Sequence, residues 1–207
     1  MALIHQATIR PTKLEALAAW VPTQPWFTGT ADTALTLVAS YRFDDPDGEV
    51  GIETLLVRAG GPVLQVPLTY RAAPLAGGDS FLITTMEHSV LGRRWVYDAE
   101  GDPVYRAVLV DTVLAGAREA DQYVEVDGAP VLRESTATVV GSGPGIEDGA
   151  QTAGARLDLV RTPGTDAPDG EPATDGLQVE ILSGTWTEHG ERTAPQVLAR
   201  VRARQNR

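Results

Sequence analysis

Arg93 and Arg94, set between Glu87 and Asp98 and followed by Trp95 and Tyr97, are the residues whose types and spacing best suit chemistry. Two neighbouring guanidinium groups can grip a phosphate or carboxylate through bidentate hydrogen bonds, with aromatic stacking alongside. His88 lies in the same stretch, and Trp26 is half of an aromatic pair set among turn residues. A ligand or partner surface of Trp26, Glu87, His88, Arg93, Arg94 and Trp95 is therefore one expectation. The competing one is that Glu87 and Asp98 neutralise the arginines while Trp95 packs inside, since surface ion pairs are common and weak.

Other motifs carry less. His189-Gly190-Glu191, with Gln196 five residues past the acid, has the outline of a kinase catalytic loop, where an acid positions the hydroxyl and an amide holds Mg²⁺. Acid and amide are each a methylene longer than that chemistry uses, and Lys13 is the only lysine, so a phosphate-clamping lysine is missing. The segment therefore reads as a hairpin turn between Trp186 and a strand over 196–201. Gly141-Ser142-Gly143-Pro144-Gly145 lacks the Gly-Lys-Ser/Thr ending of a phosphate loop, and Pro144 removes a donor, so it reads as a flexible linker. Asp44-Asp45-Pro46-Asp47-Gly48 has the acids of a calcium loop, yet Thr54 stands where the closing Glu belongs, which makes it a turn. His5, His88 and His189 have no metal-ligand spacing, and there is no Gly-x-Ser-x-Gly elbow. No catalytic residue, metal ligand or cofactor is nominated. A glycosidase-type carboxylate pair stays open, because its separation is a property of the fold.

Composition narrows the classes further. The absence of cysteine excludes disulfides and thiol chemistry. A net charge of -11 opposes binding to nucleic acid or anionic lipid. No apolar run is long enough to span a bilayer and the first residues lack a leader pattern, so a cytoplasmic protein is expected. Residues 119–191 hold 15 acids against 3 arginines, whereas 192–207 hold 5 arginines and no acid, and the tail is expected to complement its own acidic half.

The elements that must position these residues follow from periodicity. A loose alternation suggests a strand over 2–9. Thr12 and Glu15 form a capping box, and Leu14, Leu17, Ala18 and Val21 recur at helical spacing up to Pro22, which predicts a helix over 13–21. The pattern then changes to period two, with Leu35, Leu37, Ala39, Tyr41 and Phe43 on one face. Strands over 51–58 and 63–70 flank a Gly60-Gly61 hairpin, Pro67 marks an edge or bulge, and a short strand covers 81–84. The helix should pack on the face bearing Leu35, Leu37 and Tyr41. Asp102-Pro103 is an N-cap followed by the first helical residue, and the segment 104–115 is apolar around most of its circumference, so a buried helix should wall off a second β-rich half. The fold class is α+β. Two parts are expected, 1–118 and 119–207, with mobile loops near 141–154 and 163–176.

Trp20-Val21-Pro22-Thr23-Gln24-Pro25-Trp26-Phe27, the strand pair around Tyr41 and Glu53, and Trp95 to Pro103 together resemble the N-terminal cap region of actinobacterial maltokinases and glucosamine kinases. The likeness covers roughly residues 1–118. It implies a cystatin-like cap, one helix on an antiparallel sheet, followed by a mostly antiparallel β region that leads into a kinase core. This sequence departs from the pattern in having Pro25 where the family has arginine, and it stops where the kinase core would begin. The expectation is thus a free-standing, non-catalytic cap-type module of sugar or glucan metabolism, acting through a protein partner such as a sugar kinase. A sugar or sugar phosphate binder is the alternative, and an enzyme with an unrecognised carboxylate site ranks last.

Overall fold

The computed structural model describes residues 2–4, 7–30, 33–126, 129–145, 154–165 and 177–204. In chain order the elements are β1 (Ala2–Ile4), β2 (Ile9–Arg10), α1 (Lys13–Trp20), β3 (Thr36–Phe43), β4 (Gly51–Arg58), β5 (Val63–Arg71), β6 (Leu82–His88), β7 (Gly92–Asp98), α2 (Pro103–Leu114), β8 (Gln122–Val126), β9 (Ala129–Arg133), β10 (Ala137–Gly141), β11 (Arg156–Leu159), β12 (Gln178–Glu188), β13 (Glu191–Arg192) and β14 (Gln196–Ala203). A six-stranded antiparallel sheet has the order β2-β6-β7-β5-β4-β3. A five-stranded one runs β10-β12-β14-β11 with β13 beside β12, and a three-stranded one runs β1-β8-β9. The architecture is α+β, dominated by antiparallel strands. Among the described residues no helix is long and apolar enough to cross a membrane.

Helix α1 begins at its capping box. The Thr12 N–H donates to the Glu15 carboxylate at 2.8 Å and the Glu15 N–H donates to Oγ1 of Thr12 at 3.3 Å, so two orphan donors are satisfied by short-range contacts. Its Ala16 and Leu17 bury against Leu55, Val57, Leu64, Val66, Met86 and Val96 on one face of the large sheet. The expected single strand over 2–9 is two strands. β1 pairs in parallel with β8, while β2 pairs with β6.

The period-two run over 35–43 does not keep to one face. The β3–β4 register passes from Leu37↔Val57 to Ala39↔Leu56, a bulge in which β3 spends one residue more than β4. Each extra residue reverses the side to which the following side chains point. Leu35 accordingly packs with the α1 core, whereas Ala39, Tyr41 and Phe43 face the opposite core with Ile52 and Leu56. The expectation that α1 covers Tyr41 is corrected for this reason.

That opposite core is shared by the large sheet, α2 and the five-stranded sheet, and includes Tyr41, Phe43, Tyr105, Leu109, Val113, Leu182, Trp186 and Leu198. Helix α2 starts as expected: Asp102 is the N-cap and Pro103 the first helical residue. It is not buried all round. Pro103, Ala107 and Asp111, spaced by four, face solvent, while Tyr105, Leu109, Val110, Val113 and Leu114 face inward.

The same helix ends on a contact that the linker reading of 141–145 does not contain. Gly143 N–H donates to Val113 O at 2.9 Å and Gly145 N–H to Leu114 O at 3.3 Å, so this glycine segment satisfies carbonyls left over at the helix C-terminus. A Cβ on Gly143 would sit 2.1 Å from Leu114 O, and one on Gly141 would sit 2.4 Å from Thr112 O. The glycines serve close backbone packing. Residues 146–153 and 166–176, the greater part of the two expected mobile loops, lie outside the described residues.

Pro67 lies in an interior strand, not on an edge strand, but at a stretch of β5 that is paired on the β4 side alone. β7 pairs with β5 only over 68–71, and ahead of it the Gln65 N–H donates to Arg161 O at 2.8 Å, away from β4. By the two-residue repeat the missing N–H of Pro67 faces that same side, in the gap between Arg161 and β7. The Gln65 side chain reaches the second sheet as well, donating to Val160 O and Leu198 O at 2.8 Å each and accepting from the Tyr41 hydroxyl at 2.8 Å.

Two substitutions test these contacts. Gly143→Ala should destabilise the protein by about 1–3 kcal/mol through overpacking against the end of α2. Arg71→Leu, which strips the fully buried Asp102 of its two guanidinium bonds, should cost about 3 kcal/mol. Denaturant unfolding midpoints measure both, and an unchanged midpoint in either variant would refute the corresponding contact.

Candidate functional site

The α1 side of the large sheet carries a cluster built from four elements. β3 and β4 bring Arg42 and Glu53 into cross-strand register, β5 adds Tyr70, and the first turn of α1 lays Lys13 across them. Glu53 is buried, and its Oε2 accepts from Lys13 Nζ at 2.5 Å and from the Tyr70 hydroxyl at 3.0 Å. Arg42 Nη1 approaches Oε1 of the same carboxylate to 4.0 Å, while Arg42 Nε is buried without a hydrogen-bond partner among the described residues. Lys13 Nζ also lies 5.7 Å from the Tyr70 ring centre, within reach of a cation–π attraction.

Burial alone would raise the Glu53 pKa, but the charges of Lys13 and Arg42 and the bonds from Lys13 and Tyr70 outweigh it and hold the carboxyl below the ordinary glutamate value. Burial, with the Glu53 charge beside it, pushes the Tyr70 hydroxyl well above the ordinary tyrosine value. Glu53 is thus a fixed anion and Tyr70 a neutral donor. A carboxylate with a lowered pKa is mismatched to general-acid work near neutrality. The cluster is suited to holding charge in place.

Two clefts open on either side of it and share Ile9, Lys13, Arg42 and Glu53. The first, about 430 Å³, reaches Tyr70, His88, Leu91, Arg94 and the turn over 44–51. Within that turn Asp45 accepts from the N–H groups of Asp47, Glu49 and Val50, which is the turn role expected of it. The second cleft, about 530 Å³, lies between α1, the outer side of β3 and the β8–β9 hairpin, and includes Leu14, Leu37, Leu55 and Arg133.

The residues expected to form one surface are divided. β6 and β7 make a hairpin, and neighbours on a strand project to opposite faces. Arg94 therefore shares a face with Met86 and Val96 and enters the first cleft, together with His88. Arg93 points the other way and pairs across strands with Glu87 at 2.9 Å, both side chains being exposed. Trp95, half-buried, lies on the Arg93 side opposite Thr85. His88 Nδ1 accepts from the N–H groups of Val90 and Leu91 at 3.2 and 3.1 Å and so braces the hairpin turn. Trp26 is in neither cleft. Its ring packs edge-on to Trp20, and the Arg161 guanidinium lies 5.0 Å from its centre.

Asp98 does not neutralise Arg94. It binds Arg161 at 2.6 Å, as does Glu100, and burial pushes the Asp98 carboxyl upward against the pull of that arginine. The decoy at His189-Gly190 is the expected hairpin turn: both residues have positive φ, and Glu188 faces Glu191 across the strands. In the arginine-rich tail, Arg202 binds Asp158 at 2.5 Å. The cluster of Lys13, Arg42, Glu53 and Tyr70 was not anticipated as a site. Its one visible signal is a carboxylate inside the apolar run 52–57.

The fold and the site define an α+β protein whose charged groups on one sheet face are fixed by one another around two open clefts. Residues 20–102 match the family model described as the maltokinase N-terminal cap domain. That segment, from the last residue of α1 to the Asp102 cap of α2, is similar to a cap domain of this type and spans about two fifths of the chain. Such a domain is an N-terminal module and not a catalytic kinase domain. A comparison with curated proteins gives no match.

Glu53 also sets a pH dependence. Its folded pKa lies below the unfolded value of about 4.3, so the folded state binds fewer protons there and the carboxylate's stabilising contribution is complete above that pH. The contribution falls as pH drops through the unfolded and then the folded value. Glu53→Gln should flatten the loss of stability below about pH 4.3, measured as melting temperature against pH. A variant curve parallel to that of the wild type would refute the assignment.

Proposed function

We propose that this chain is a non-catalytic cap-type module of sugar or glucan metabolism that acts on a sugar kinase by direct contact. The observation that carries the reading is the cap-domain match over 20–102. The site chemistry supports it: Glu53 is held ionised by Lys13 and Tyr70. The layout of α1 against one antiparallel sheet supports the cystatin-like description that goes with such caps. A cytoplasmic setting accompanies the reading, because sugar kinases draw on intracellular ATP.

A second reading, a binder of a sugar or sugar phosphate, is favoured by one observation. Lys13, Arg42, Arg94 and His88 all line the first cleft, whose volume is within the range of small-molecule pockets.

Titrating the chain into a maltokinase by calorimetry, with kinase rates followed in parallel, tests the first reading. Saturable binding with a change in maltose KM or kcat is expected, and the absence of both heat and rate effect would overturn it. A thermal-shift panel of maltose, glucosamine, sugar phosphates and ATP·Mg²⁺ tests the second. A ligand at ~100 times its Kd stabilises by roughly 2.7 kcal/mol, so no shift across the panel counts against a small-ligand role.

A further inference from the structure

The groove between α1, the outer side of β3 and the β8–β9 hairpin is, we propose, a docking site for an extended peptide segment of a partner protein, with acidic residues next to a leucine-sized apolar side chain. The inference rests on the reading that this chain works through a protein partner, and it names the chemistry of the contact.

The floor of the groove is apolar. Ile9, Leu14, Leu37 and Leu55 line it, and Leu37 is 50% exposed. The bulge in β3 explains that exposure: it leaves Leu37 on the Val57 side of the sheet while sending Ala39, Tyr41 and Phe43 into the other core. Bulges commonly re-aim a side chain next to a binding site. On β9, Val131 shares the face of Arg133 and is 46% exposed, so apolar surface continues out of the groove along the hairpin.

The rim is cationic. Lys13, Arg42 and Arg133 converge on the groove, with Glu53 and Glu134 as the acids. Glu53 is already engaged by Lys13 and Tyr70. Arg133 is joined to no acid among the described residues, and the part-exposed Arg42 guanidinium approaches the Glu53 carboxylate only to 4.0 Å. On a chain of net charge -11 this is a local reversal of sign, and it selects an acidic occupant. A small anion would satisfy the rim and leave Leu14 and Leu37 uncovered, whereas a peptide bearing both side-chain types covers both.

The mode of reading also follows. Ser40, on the outer edge of β3, has its N–H and C=O engaged by the Thr136 hydroxyl at 2.7 and 3.3 Å. That edge is closed to an added strand there, so the peptide is recognised through its side chains.

Display of short random peptides on the intact chain, followed by anisotropy titration of the best binder as a fluorescent conjugate, tests the inference. Enriched sequences should place Asp or Glu beside Leu, Ile or Met. Leu37→Asp and Arg133→Glu, both at exposed positions and checked for an unchanged melting temperature, should each weaken binding about tenfold or more, as expected when a central contact is lost. Failure to enrich any such sequence, or binding unaffected by both variants, overturns the proposal. The same variants in the maltokinase titration separate the two claims. If Leu37→Asp leaves the kinase effect intact, the groove is not the contact surface. If acidic peptides bind but the wild-type chain leaves the kinase untouched, the groove stands and the kinase reading fails.

Discussion

The carboxylate of Asp102 is where the parts of this molecule meet. It is fully buried, and a buried anion survives only with strong partners. Arg71, at the end of β5, supplies a fork of two bonds at 2.7 Å each, and the Val104 N–H supplies a third at 3.0 Å. Burial works to raise its pKa, but these bonds prevail and keep it ionised. One charge thereby fixes the end of a central strand and the start of α2. From there the helix carries Tyr105, Leu109 and Val113 into the core that the five-stranded sheet completes.

On the α1 side of the same sheet, charge is handled differently. Glu53 is buried among apolar neighbours, and its partners come from the helix and from two adjacent strands. The arrangement spends Lys13 and Tyr70 on structure and leaves Arg42 incompletely satisfied. The surrounding clefts therefore combine walls cross-linked by hydrogen bonds and ion pairs with residual positive charge, a combination suited to recognition. Both clefts lie on the sheet face covered by α1; the first is lined mostly by the segment 20–102, and the second draws also on residues 7–14 and on the β8–β9 hairpin.

Features with short-range causes were legible in the sequence. The Thr12/Glu15 box, the Asp102-Pro103 start, the Asp45 turn and the His189-Gly190 hairpin each depend on residues within a few positions of one another, and each stands where local chemistry puts it. What was not legible depends on distant backbone. The reason for Gly141 and Gly143 is the end of α2, some thirty residues away in the chain. Arg93 and Arg94 are adjacent in sequence but project to opposite faces of β7, as neighbours on a strand must. Glu53 stood out only as an acid in an apolar run, and nothing local announced that Lys13 and Tyr70 would meet it. The alternation over 35–43 was real, but periodicity cannot register a single extra residue that pairs with nothing.

That extra residue bears on how the chain can vary in length. The β3 bulge sets the parity of Ala39, Tyr41 and Phe43 relative to Leu35. Loss of one residue at Val38 would restore regular pairing and, in the same step, turn either Leu35 or the Tyr41–Phe43 aromatic pair to the wrong layer. Length changes here are tolerable only in pairs or with a compensating bulge on β4. In this strand, chain length itself encodes which layer each side chain belongs to.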